Sequence, residues 1–167
     1  MASRRRSRER ALQVLFDWDL RRAADQSETD IWRAIDDFYE TLHSEEDAPE
    51  RLERDQFMEQ LVKGTSKQVA HLDQLIGAHA AHWKVERMPG VDRNILRLAA
   101  FEMTERQLPP AVIIDEALEL TRRFAGDESV SFVNGVLDAI HRDLKASPSG
   151  STGASTSGSP TAKPPAR

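Results

Sequence analysis

From residue 4 to about residue 145, apolar side chains recur at helical spacing, and no stretch sustains the alternation of a half-buried strand. The pattern predicts an all-α chain of about seven helices. A first helix from about Arg4 to Ala24 puts Ala11, Val14, Leu15, Trp18 and Arg22 on one face, which can dock on a core. Asp25-Gln26-Ser27 breaks it, and Ser27 or Thr29 can cap a second helix carrying Ile31, Ile35, Phe38 and Leu42. The other side of that helix is acidic (Asp36, Asp37, Glu40). The acidic run continues through Glu45-Glu46-Asp47 to Pro49, as a solvated face and an exposed loop. Phe57, Leu61 and Val62 mark a third helix, with Gly64 a weak point inside it. Val69, Leu72, Leu75 and Ile76 carry the period towards Trp83 as a fourth, and Pro89-Gly90 closes the section.

The next helix, Val91 to Met103, is the expected centre of the fold. Val91, Ile95, Leu96, Leu98, Ala99 and Met103 cover about half its circumference, too much for a surface helix. Arg93, Arg97 and Thr104 form its polar side. Glu102 falls inside the apolar arc, where a carboxylate must find a donor or destabilise the fold. No His or second carboxylate stands beside it at helical spacing, so it reads as a buried acceptor and not as a catalytic base. Pro109-Pro110 start a sixth helix, with Ile113, Ile114, Ala117, Leu118, Thr121 and Phe124 on its inner side. Gly126 suits its C-terminal cap, and Asp127 or Ser129 the N-cap of the last helix. That helix packs through Val133, Val136, Leu137, Ile140 and Leu144 and leaves Phe132 on a shoulder. Asn134-Gly135 would signal a hairpin between strands, but the helical period on both sides keeps the helix, with Gly135 suited to a close crossing. From Ser147 to Arg167 the composition turns to Ser, Gly, Thr, Pro and Ala, which cannot bury enough to order itself. The expected organisation is one helical domain over 1–146 and a disordered tail over 147–167.

A chain of 167 residues is long enough for a proper core, and its charge sharpens the picture. The net charge is −5, yet residues 1–10 carry five arginines and one glutamate, leaving the remainder at −9. This is a basic arm on an acidic body, fit to hold a nucleic acid at one edge and a basic protein elsewhere. There are no cysteines, which excludes disulfides and thiol-ligated metals. The N-terminus has no apolar signal region and no segment approaches about 18 consecutive apolar residues, so a soluble, cytoplasmic protein without a membrane partner is expected. No glycine-rich phosphate loop, His–Glu zinc signature or nucleophile elbow occurs. His79 and His82 stand three apart with Asp73 six residues before His79, but no further ligand matches, so they read as surface histidines. No catalytic residue, metal or cofactor is expected.

The candidate chemistry lies on the first helix. Arginines at a helix N-terminus oppose the macrodipole, so the cluster Arg4, Arg5, Arg6, Arg8 and Arg10 implies a task beyond helix formation. Arg5, Glu9, Gln13 and Phe16 share a flank well away from the docking face. Guanidiniums that hold phosphates beside a ring that stacks a base are what a reader of unstacked RNA needs. The alternative is a solvated helix start with Phe16 as peripheral core.

Four segments taken together resemble the NusB family of bacterial transcription antitermination factors. They are Arg4–Trp18 (RRRSRERALQVLFDW), Val91–Met103 (VDRNILRLAAFEM), Pro110–Leu120 and Ser131–Asp138 (SFVNGVLD), within a resemblance covering about residues 4–142. The resemblance implies an all-helical fold of two small helical subdomains and a non-catalytic role. With NusE, a ribosomal small-subunit protein, members bind the single-stranded boxA element of nascent RNA, chiefly in ribosomal RNA operons. NusA, NusG and RNA polymerase are indirect partners, and a homodimer without NusE is one state open to the chain. It implies RNA contacts at Arg4, Arg5, Arg6, Arg8 and Gln13, and base contact at Phe16, where the family often has tyrosine. Glu128 and Phe132, at the start of the last helix, complete the implied RNA set. A NusE-facing surface on the fourth to sixth helices would involve Asp92, with His79 and Arg97. The acidic segment 40–55 and the tail depart from the family pattern. Two rivals remain: a helical protein–protein adaptor, or the RNA-binding region of a ribosomal RNA cytosine methyltransferase without its cofactor-binding domain.

Overall fold

The computed structural model describes residues 2–24, 30–45 and 53–147. Among them are seven α-helices and no strand: α1 (Arg4–Ala24), α2 (Ile31–Glu45), α3 (Gln56–Lys67), α4 (Val69–His79), α5 (Gly90–Glu105), α6 (Pro110–Phe124) and α7 (Asp127–Ala146). A 3-10 turn, Val85–Arg87, sits between α4 and α5. The expected break at Asp25-Gln26-Ser27 with its caps Ser27 and Thr29, the acidic stretch around Pro49, and the tail from residue 148 lie outside the described residues.

The helices form two groups around one axis. α1, α2 and α3 pack on one another, while α4, α6 and α7 gather round α5, which also packs on α1 and α3. The wide apolar arc of α5 has the expected consequence: every residue from Asn94 to Met103 is buried. Ala11, Val14, Leu15 and Trp18 of α1 are buried as the helical period requires.

Asp55 fastens the first group. It caps α3 by accepting from the Met58 N–H at 3.0 Å, and the Ser7 hydroxyl of α1 donates to both its carboxylate oxygens at 2.8 and 2.9 Å. Its own N–H donates to the Tyr39 hydroxyl of α2 at 2.7 Å. One side chain and one amide thus tie three helices.

Two of the helix glycines, Gly64 and Gly135, exchange the roles their sequence context suggests. Gly64, the apparent weak point of α3, lies under Phe101 of α5, where an added Cβ would come within 2.1 Å of Cζ. Gly135 has open space where a Cβ would stand, so the close crossing expected there occurs at Gly64 instead. The expected cap of α7 is also different. Gly126, at φ 106°, occupies the cap position, Asp127 is already helical, and the Ser129 hydroxyl is used elsewhere.

Candidate nucleic-acid interface

The arginines of α1 point in three directions, because successive positions on a helix are about 100° apart. Arg8 points inward. It is 4% exposed, and its Nε and one terminal nitrogen donate to the Glu102 carboxylate at 2.8–3.1 Å. Its guanidinium also lies 5.4 Å from the Phe57 ring centre. Glu102 is therefore the buried acceptor expected of it, and Arg8 is its donor. Arg8, expected in the RNA-binding arm, is thus placed in the interior, where removing either partner would strand a buried charge.

Arg5 points outward to α6 and makes a two-pronged contact with Glu116, through Nε at 3.1 Å and a terminal nitrogen at 3.0 Å. The hydrogen bond from Arg5 holds the Glu116 carboxyl below its usual range, against a smaller opposing effect of burial. Arg10 reaches Asp55 at 3.4 Å, and Arg123 of α6 pairs with Glu9. Arg4 lies 4.5 Å above the Phe57 ring. Solvent-exposed pairs of the Arg5 and Arg123 type contribute about 0–1 kcal/mol, so a phosphate can take over such a guanidinium at little cost.

Between these side chains runs an open groove of about 440 Å³. Arg6, Glu9, Arg10, Gln13 and Phe16 of α1 form one wall, and Phe38 and Leu42 of α2 part of its floor. Val91, Arg123 and Phe124 form the far side. Phe16 is half-buried and Gln13 exposed. The Phe16 ring rests on the first residue of α5, where a Cβ at Gly90 would come within 2.9 Å of it. Neither reading of Phe16 from the sequence is complete: the ring is anchored by one edge yet lines a groove.

Phe124 corrects a second expectation. It was placed on the inner side of α6 but is 45% exposed, because α6 ends at this residue and the chain turns at Gly126 before α7 can cover it. Sequence reasoning missed Arg123 and Phe124 as groove residues. The signal was there, an Arg-Arg-Phe run ending a helix just before a glycine.

Of the remaining candidates, Asp92, Glu128 and Phe132 gather at the α5 and α7 starts. Asp92, in the first turn of α5, is 5% exposed and accepts from the Ser129 hydroxyl at 3.0 Å. Glu128 is exposed next to that serine, and Phe132 is half-buried with its ring centre 6.1 Å from that of exposed Trp83. His79, at the end of α4, meets the Asp143 carboxylate at 3.0 Å.

Arg97 is interior. It is 3% exposed and grips Asp73 of α4 through two nitrogens at 2.7 and 2.8 Å and Asp19 of α1 at 2.9 Å. Arg93 and Asn94 also donate to Asp19, at 2.7–2.8 and 3.1 Å, and Arg93 reaches the Met88 carbonyl at 3.0 Å. Burial raises the affinity of Asp19 for a proton, but the hydrogen bonds from Arg97, Arg93 and Asn94 outweigh it and hold the carboxyl below its usual range. Arg97 and Asp92, both expected on the partner-facing surface, are covered and engaged by the fold's own side chains. No helix among the described residues is long and apolar enough to cross a membrane.

A sequence model of the NusB family matches residues 5–142. The chain belongs to the NusB family. A transcription antitermination protein NusB from Solibacter usitatus is 54% identical over 144 residues, covering 86% of this chain and 92% of the relative. The Bacillus subtilis protein of the same name is 41% identical over 145 residues, covering 86% and 98%. A T. maritima NusB structure superposes with a TM-score of 0.69 at 29% identity, over 85% of this chain and 92% of that one. A crystal structure of antitermination factors NusB and NusE in complex with dsRNA shares the fold, with a TM-score of 0.68 at 24% identity over 84% and 96%. The chain is thus one of a family of transcription antitermination proteins, which are regulators and not enzymes.

Proposed function

We propose that this NusB family member binds single-stranded boxA-type RNA together with NusE and thereby suppresses transcription termination, chiefly in ribosomal RNA operons. The observation that carries the reading is the groove in which Phe16 and Phe124 stand among Arg6, Arg10 and Arg123. Rings at a groove edge stack bases, and guanidiniums beside them hold the backbone. Arg4, Arg5 and Gln13 extend this surface along α1, and Glu128 and Phe132 extend it to the start of α7. Arg8 acts from beneath by fixing α1 to α5.

NusE docks along α4 to α6, where His79 is partly exposed beside Asp143, while Asp92 and Arg97 hold the backbone of that surface in place. An acidic body suits a basic ribosomal protein, since complementary charge speeds encounter and suppresses wrong partners. The complex works in the cytoplasm with NusA, NusG and RNA polymerase. The helical domain of 1–146 carries these contacts.

Titration of labelled boxA RNA with the full chain, with and without NusE, tests the reading. Sequence-dependent binding strengthened by NusE is expected. Binding to NusE with no measurable RNA affinity would instead make the chain a protein adaptor.

A further inference from the structure

The proposed RNA groove does not stop at α1. Arg6 and Arg10 line it from one side and also line a second groove of about 750 Å³ between the start of α1 and the start of α3. The far wall of that second groove carries Arg54, Gln56 and Gln60. Resting on the RNA reading above, we propose that the second groove is a backbone-binding extension of the same site. It holds the nucleotides flanking the recognised element and contacts them without regard to base identity.

Three observations support this. The grooves share two guanidiniums, so a strand leaving the first passes over Arg6 and Arg10 into the second. Taken together, the two grooves present Arg4, Arg6, Arg10, Arg54 and Arg123 against Glu9, Glu53 and Asp55, a positive surface on a chain whose net charge is −5. Arg54 is half-exposed and engaged with Glu59 and Asp36, and the exposed Asp36 pair is of the readily exchanged kind.

The two grooves differ in what they can read. The first has aromatic rings at Phe16 and Phe124. In the second, the aromatic ring is Phe57, which already carries Arg4 at 4.5 Å and Arg8 at 5.4 Å. A ring so engaged offers poor stacking to a base, leaving charge and the two amides to act on phosphates and sugars, which carry no sequence information.

The test compares boxA RNA with the same RNA extended at each end in turn by oligouridine or oligocytidine. The full chain should bind one of the extended forms several-fold tighter, equally for either extension chemistry. Its log–log salt slope should steepen by about 0.7 for each added phosphate contact. Gln60→Glu and, separately, Arg54→Ala should remove most of that gain while leaving affinity for the unextended RNA unchanged. Gln60 is exposed and makes no ion pair, so its variant keeps the test clear of any folding effect of Arg54. No gain at either end, a gain that depends on the added base, or a gain that survives both variants would overturn the proposal. Failure of the wild-type chain to bind even the unextended RNA would sink the underlying RNA reading instead.

Discussion

Two sets of arginine–carboxylate pairs meet along α1, one sealed in the core and one reaching out to α6. On the inner side, Arg8–Glu102 and the Asp19–Arg93–Arg97–Asp73 cluster are shielded from water and bind α1 and α4 to α5. On the outer side, Arg5–Glu116 and Arg123–Glu9 have guanidiniums that stand about 59% and 63% exposed, over carboxylates that are largely covered. Contact geometry does not distinguish a structural pair from one that yields to a ligand. Water does: a buried charge has nowhere to go when its partner leaves, whereas an exposed one is resolvated or taken up by a phosphate.

The inner set gives the largest expected effect. Arg8→Ala should lower unfolding free energy by about 3–5 kcal/mol in urea titration, by leaving Glu102 buried and unpaired. Pairing Arg8→Met with Glu102→Leu should recover most of that loss. If Arg8→Ala instead folds normally and only weakens RNA binding, the inner and outer sets have been wrongly divided.

An acid titration separates them further. The Asp19 carboxyl is held below its usual range in the folded chain, so its contribution is complete above the unfolded value of about 3.9 and is lost as pH falls through the lower folded value. Urea midpoints measured from pH 5 to pH 3 should fall steeply for the wild type. Asp19→Asn should start lower and flatten that acid limb.

On the outer side, Phe16→Ala should weaken boxA RNA binding by about 1–3 kcal/mol, read by fluorescence anisotropy. A loss confined to thermal stability would put Phe16 with the core. Arg5→Ala should leave folding intact and reduce the salt slope of RNA binding by about 0.7. An unchanged slope would remove Arg5 from the interface.

The glycines supply the smallest test of inside against outside. Gly64→Ala should cost about 1–3 kcal/mol by forcing Phe101 away. Gly135→Ala, with open space around it, should stabilise α7 by about 0.5–1 kcal/mol. Equal effects in thermal melts would mean that α3 and α5 can separate at little cost.

Helix order, the central place of α5 and the arginine–aromatic edge of α1 were all legible in the chain, because a 3.6-residue period and a charge cluster are local patterns. The buried state of Glu102 was legible too, from the apolar residues around it. Its partner was not: Arg8 lies 94 positions away and looks, in sequence, like Arg5 and Arg6 beside it. Only the packing of α1 on α5 decided which guanidinium is sealed. The same holds for Phe124, whose exposure depends on where α6 stops, and for Gly64, whose need for a missing Cβ comes from a ring on another helix. Local spacing determines which face a residue occupies, but what that face meets is settled by contacts between distant segments, and there charge and glycine acquire their meaning.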